Sequence, residues 1–375
     1  MTKVMSDLQK PVQKAIDDMV ESEAERGIQV AVYRHGELVV DAVAGVADPS
    51  TGRRVESDTP FYNFSIVKGA AATVAHMLVE RGLFGYDTAL VDLWPEFGAH
   101  GKQKVTVRHV LSHTAGVPGI PLDTTMEHLC DWDKMCAAIA ASELWWEPGT
   151  KIGYHAYTFG YLVGEIVRRA TGKKISQVLL EEVSGPLGIG DEIYFGMPRS
   201  QQHRLAVLED AEVADAGAFS AMPPDLPMFK AGPMSLMPTA QLGNRADILA
   251  ADIPAGGKTS ARAIARMYAA LLGQVDGTRL IPQARLREAT AEAMSGTDEI
   301  FGMPTKWALG YAIGGLGSGS QGSDSVFGVG GSGGSFACAD TASGVAFAVT
   351  KNRLTSDFST ANRLSGIITD VLRDR

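Results

Sequence analysis

Residues 61–82 read FYNFSIVKGAAATVAHMLVERG, and the reading of this stretch decides the fold. After Ser65 the residues are small and apolar, so the stretch reads as a helix that Ser65 opens. Ser65 and Lys68 stand at i and i+3, which places two side chains on one helix face. A serine hydroxyl is a poor nucleophile until a base takes its proton. A lysine serves only if burial or a helix N-terminus lowers its pKa toward neutrality, and the alanine-rich surroundings offer that burial. The plainer alternative is Ser65 as a helix cap with a solvated lysine in the first turn.

The rest of the chain narrows the setting. It has 375 residues, with 34 Lys plus Arg against 43 Asp plus Glu, a formal net charge of −9. An acidic chain with no basic cluster is a poor partner for nucleic acid. The opening residues lack the apolar run of a secretory signal, and no uninterrupted apolar stretch reaches membrane-spanning length. The three cysteines, Cys130, Cys136 and Cys338, show no metal-binding spacing and read as reduced thiols of a cytoplasmic protein.

Working outward, helical spacing covers about residues 8–26. IQVAVYRHGELVVDAVAGVAD then alternates in period two about His35-Gly36, a hairpin. Helices and long loops occupy the middle. One helix, TFGYLVGEIVRRATG, ends at Gly172, and another is expected in GGKTSARAIARMYAALLG. The apolar segment between Met222 and Met237 lacks periodicity and reads as a pocket-walling loop. Strands return in WALGYAIGG, SVFGVGG and SFACADTASGVAFAVTKN, with a turn at Ser343-Gly344, before a last helix over about 357–372. The expectation is an α+β fold: an antiparallel sheet from both chain ends flanked by helices, with a mostly helical inserted region. The corresponding division is 1–90 with 240–375 as one domain and 91–239 as the other.

Several motifs fail on inspection. Gly330-Gly331-Ser332-Gly333-Gly334 fits G-x-S-x-G, but a nucleophile elbow needs a histidine downstream, and the last histidine is His203. The glycine patterns around Gly317 and Gly328 precede strand-like sequence rather than the helix of a dinucleotide site. His109 and His113 have the spacing of one helix face without a third ligand, and read as structural histidines.

FYNFSIVKGA, LFGYDTALVDLWPEFG, VTVRHVLSHTAGVPG, WWEPGTKIGYHAYTFGYLVGEIVRRATG, PAGGKTSARAIARMYAALLG and FGVGGSGGSFACAD follow one another in an order and spacing that resembles the serine β-lactamase and penicillin-binding-protein-like superfamily. The nearest branch is the family-VIII carboxylesterases related to class C β-lactamases. The resemblance implies that Ser65 is the acylated nucleophile, Lys68 its partner base and Tyr154 the tyrosine of the second motif. It implies that the turn Gly330-Gly331-Ser332 is the third motif, with the Ser332 and Ser65 amides as the oxyanion hole. Gly331, Val329 and His155 are the remaining substrate-binding positions it implies. A tyrosine beside Lys68 would have its phenolate favoured by the cation, and which of the two is the base stays open at the level of sequence.

Two positions depart from the β-lactamase pattern: Ala156 replaces the asparagine of the tyrosine motif, and Val329 replaces the lysine of the third. Both losses remove groups that would hold a penicillin. The expectation is a cytoplasmic serine carboxylesterase acting on small or medium uncharged, apolar esters, with no metal or organic cofactor, no nucleic acid and no membrane. Homo-oligomerisation stays open. Amide hydrolysis, acyl transfer or slight β-lactam turnover on the same scaffold are alternatives, as is a non-catalytic binding protein of this fold.

Overall fold

The computed structural model describes residues 3–211, 223, 225–314 and 323–373. The chain begins with a helix, Lys3–Glu21, whose Leu8, Val12, Ile16 and Met19 are buried. The first strands are β1 (Gly27–Arg34) and β2 (Glu37–Asp48), joined by a two-residue turn. In that turn His35 and Gly36 both take positive φ, +50° and +85°, the geometry that matches the twist of a tight hairpin. Short strands β3 (Arg53–Arg54) and β4 (Phe61–Tyr62) follow. The middle of the chain is largely helical, including Thr158–Thr171, which closes on Gly172 at φ +72° as the sequence predicts. Among the described residues it contributes only the two-residue strands β5 (Ile193–Tyr194) and β6 (Glu209–Asp210).

Strand β7 (Lys258–Thr259) leads into the amphipathic helix Ala261–Leu272. The remaining strands are β8 (Met294–Thr297), β9 (Pro304–Trp307), β10 (Ala312–Ile313), β11 (Val326–Gly330), β12 (Phe336–Asp340), β13 (Val345–Lys351) and β14 (Arg353–Leu354). A helix, Ser359–Arg373, follows them. Nine strands form one antiparallel sheet in the order β3-β2-β1-β13-β12-β11-β10-β9-β8. The two chain ends meet at its centre, where Val30 of β1 faces Val349 of β13.

Strand periodicity separates the two faces. Ile28, Val30 and Val32 pack against the two terminal helices, whereas Ala31 and Tyr33 face the main core with helices 68–80 and 261–272. A buried ion pair fastens the terminal segments together: Lys351 Nζ donates to Glu25 Oε1 at 2.6 Å, and the Thr360 hydroxyl donates to the same oxygen at 2.5 Å. Strands β4, β7 and β5 form a separate small sheet, with Phe61 opposite Thr259 and Tyr62 opposite Lys258. That sheet delivers the chain to Ser65. Among the described residues no helix is long and apolar enough to cross a membrane.

Candidate active site

Ser65 sits on a turn held from several sides. Asn63 Nδ2 donates to the carbonyls of Phe61 and Thr259, each at 2.9 Å, and the Asn63 amide donates to Gly257 O at 2.9 Å. A side chain at Gly257 would put its Cβ 2.6 Å from Tyr194 O, so only glycine lets the strands close here. Phe64, just before the serine, adopts φ +50°, an uncommon conformation for an aromatic residue and one that persists only where the surroundings impose it. Ser65 lies in a single 3₁₀ turn, Phe64–Val67, that runs into the helix Lys68–Glu80. The sequence placed it in the helix itself. The tighter turn still serves the pair, because residues three apart eclipse one another in 3₁₀ geometry.

Lys68 Nζ lies 2.7 Å from Ser65 Oγ and donates to Ala255 O at 3.0 Å. The residue is 1% exposed, and no carboxylate pairs with the amine among the described residues. Burial alone drives its pKa down to about 7. Near neutral pH a large fraction is therefore a neutral amine, to which the serine hydroxyl can donate.

Tyr154 completes the cluster, with Lys68 Nζ 5.1 Å from its ring centroid. Its phenol is pushed up to about 12 by burial, opposed by a side-chain hydrogen bond with Ser65 and reinforced by the charge of Asp298. This corrects the expectation of a favoured phenolate: desolvation is the largest influence on the phenol and raises it. Burial thus favours the neutral phenol on Tyr154 and the neutral amine on Lys68.

Third, the end of β11 presses on the serine turn. A Cβ on Gly331 would stand 2.1 Å from Asn63 O, so the glycine permits a backbone approach no other residue allows. The Gly331 amide donates to Ser335 O at 2.8 Å, whereas the amides of Ser65 and Ser332 find no acceptor among the described residues. Ser332 is exposed.

A family profile described as beta-lactamase matches residues 12–368. The chain belongs to the beta-lactamase family. Esterase/beta-lactamase LipL of Mycobacterium tuberculosis (strain ATCC 25618 / H37Rv) is 35% identical over 343 residues, 88% of this chain and 78% of that protein. A solved family VIII carboxylesterase matches with a TM-score of 0.87 at 34% identity over 97% of both chains. A penicillin-binding protein homolog from Caulobacter crescentus matches with a TM-score of 0.83 at 30% identity, over 99% of this chain and 98% of that one.

Within this beta-lactamase-family framework, Ser65, Lys68, Tyr154 and Gly331 come together. Val329 is 2% exposed and packs into the main core from β11, so it offers a substrate no surface, a correction to its expected role. His155 does not join them. Its Nδ1 donates to Gly153 O at 2.6 Å, and its Nε2 accepts from the Val117 amide at 3.2 Å. Burial pushes it down to about 4, so it is a neutral structural residue with no free polar atom for a substrate, a correction to its expected role. His109 and His113 do not share a helix face either. His109 caps the short helix Val107–Leu111, accepting from the Thr106 amide at 3.2 Å, while His113 lies past that helix at φ +59°. His109 is structural as expected, but His113 is not fully satisfied: its Nε2 is buried without a partner among the described residues.

Sequence reasoning missed Asp298 and Phe301, at the tip of the β8–β9 hairpin. Asp298 Oδ2 accepts the Tyr154 amide at 2.8 Å, and the Phe301 ring, half exposed, lies 6.1 Å from the Tyr154 ring. Nothing in GTDEIFG marks these residues, and the contact spans 144 positions. Of the predicted loop, Met222 lies outside the described residues. Its later part forms the short helix Pro227–Lys230 and a turn at Met234–Leu236, where Leu236 O accepts from the Tyr157 hydroxyl at 2.7 Å.

Proposed function

We propose that this chain is a serine carboxylesterase of the beta-lactamase family, acting through an acyl-enzyme on Ser65. The observation that carries the reading is the 2.7 Å approach of a buried, readily neutral Lys68 amine to the Ser65 hydroxyl. Lys68 takes the serine proton as Oγ adds to the ester carbonyl. The carbonyl oxygen, now negative, is held by the Ser65 and Ser332 amides, each donor worth about 3–4 kcal/mol in the transition state. Tyr154, protonated and adjacent to both groups, relays the proton to the departing alcohol. Water then repeats the sequence in reverse, releasing the acid and restoring Ser65.

The half-exposed Phe301 ring beside Tyr154 supports an apolar, uncharged substrate. The segment up to Met237, tied to Tyr157, would shape the acyl or alcohol pocket. Slight β-lactam turnover is the second reading, favoured by the likeness to LipL and to the penicillin-binding protein homolog. A cytoplasmic setting is part of the proposal, supported by three free cysteines.

The test is a panel of p-nitrophenyl butyrate, a chromogenic cephalosporin and a small linear amide, on wild type and Ser65→Ala. The expected result is ester turnover that exceeds the other two and vanishes in the variant. Equal ester turnover by both proteins would refute the assignment of Ser65.

A further inference from the structure

Tyr154 lies on an irregular segment, yet its phenol has to stay within reach of both Ser65 and Lys68. The structure shows what holds it. Two consecutive main-chain amides are each taken by a side chain from a distant part of the chain. The Tyr154 amide donates to Asp298 Oδ2 at 2.8 Å, and the His155 amide donates to His113 Nδ1 at 3.0 Å. The main chain of His113 adds a third tie, its carbonyl accepting from the Gly153 amide at 3.1 Å. Asp298 is itself fixed, because its Oδ1 accepts from the amides of Ile300 and Phe301 at 2.8 and 2.9 Å. The His113 ring also packs on the Tyr154 ring, centroids 4.9 Å apart, and is backed by Trp307 at 4.3 Å and Phe159 at 5.0 Å.

A stable core alone does not account for an imidazole at position 113. With Nδ1 accepting, the ring proton sits on Nε2, which is buried and unpartnered among the described residues. An orphaned buried donor weakens the fold. The residue also adopts φ +59°, a conformation that asparagine accommodates as well as histidine and that bulky apolar residues resist. What this position supplies is an acceptor and a flat ring against the tyrosine.

We propose that His113 and Asp298 are positioning residues, a two-sided clamp that sets Tyr154 against Ser65 and Lys68. The inference rests on the esterase reading above, but its test separates the two. His113→Phe keeps the ring and removes the acceptor but adds backbone strain at φ +59°; His113→Asn keeps an acceptor and tolerates the backbone, and Asp298→Asn, made in parallel, removes the acceptor of the Tyr154 amide without that strain.

A misplacement of about 1 Å in a catalytic group lowers rates on the order of 100-fold. His113→Phe should therefore lower kcat for p-nitrophenyl butyrate by about that factor with KM nearly unchanged, and His113→Asn should recover most of the loss. In a Tyr154→Phe background the same His113→Phe change should cost almost nothing more, because residues acting through one group are not additive. Amide exchange of the peptide spanning 153–157 should accelerate in His113→Phe and not in His113→Asn, a readout that holds whatever the substrate proves to be. Should His113→Phe not fold, Asp298→Asn, which leaves an oxygen for Ile300 and Phe301, carries the same comparison at the Tyr154 amide. Full additivity with Tyr154→Phe, an equal loss in the Phe and Asn variants, or unchanged amide exchange would each overturn the clamp. Absence of ester turnover in wild type, with exchange behaving as stated, would instead overturn the esterase reading alone.

Discussion

Replacing Lys68 by methionine should destroy the proposed chemistry and, below neutral pH, strengthen the fold. Burial lowers the lysine pKa from an ordinary 10.5 to about 7. That drop of about 3.5 corresponds to about 5 kcal/mol of disfavoured protonation in the folded state. Between pH 7 and 10.5 the unfolded chain binds a proton at this site that the folded protein does not, so wild-type stability rises with pH across that window. Below pH 7 the full burden is present, and above 10.5 it is gone. The methionine variant has no such dependence. Its stability relative to wild type should therefore fall by about 4 kcal/mol from pH 6 to pH 10. Loss of the hydrogen bond to Ala255 O lowers the variant by an amount that does not vary with pH, so the slope is insensitive to it. Lys258, also lowered to about 7 by burial, is present in both proteins and cancels. Urea denaturation of both proteins at pH 6, 8 and 10 measures the difference. A gap that stays constant within about 1 kcal/mol would show that Lys68 is charged or solvated in the folded state, and the base would be lost with it.

Four further outcomes follow from the geometry. The pH profile of kcat/KM for an ester should rise through an inflection near 7 as Lys68 loses its proton, with no fall below about pH 10, because Tyr154 titrates near 12; an inflection near 5 would point to a different base. Tyr154→Phe should reduce kcat by about 100- to 10,000-fold, the range for a lost proton relay, and a wild-type rate in stopped-flow assays would remove the tyrosine from the mechanism. Gly331→Ala puts a methyl group 2.1 Å from Asn63 O, so phosphonate labelling of Ser65 should slow by at least about tenfold as the turn shifts. Lys351→Met strands the buried Glu25 carboxylate and should destabilise the protein by about 3–5 kcal/mol in urea, whereas a loss under about 1 kcal/mol would show that Glu25 is protonated or hydrated.

The features legible in the sequence are those written in local periodicity and turn chemistry. The β1–β2 hairpin is visible because His35-Gly36 interrupts a period-two pattern, and the helix 158–171 because Gly172 caps an amphipathic run. Ser65 and Lys68 are legible because their relation is local: three residues within one turn fix their distance. Tyr154 and Gly331 became visible only through resemblance, since no local pattern relates them to Ser65. Asp298, and the tie from His113 to the Tyr154 segment, stayed hidden for a different reason. Each acts by accepting a main-chain hydrogen bond from a segment remote in sequence, and main-chain donors carry no residue signature. His155 misled because adjacency to Tyr154 in sequence says nothing about direction. On the irregular segment before helix 158–171 the His155 side chain turns away, into the backbone of Gly153 and Val117. The phenolate expectation failed because opposite charge was weighed without burial, which neutralises the amine and protonates the phenol together.

The central claim is that Ser65 carries the acyl group. Rapid acid quench during turnover of a slowly hydrolysed p-nitrophenyl ester, followed by peptide mass mapping, tests it most directly. The acyl mass is expected on the peptide bearing Ser65, its formation rate increasing with pH about a midpoint near 7. An acyl mass on any other residue, or steady turnover with none on that peptide, would contradict it.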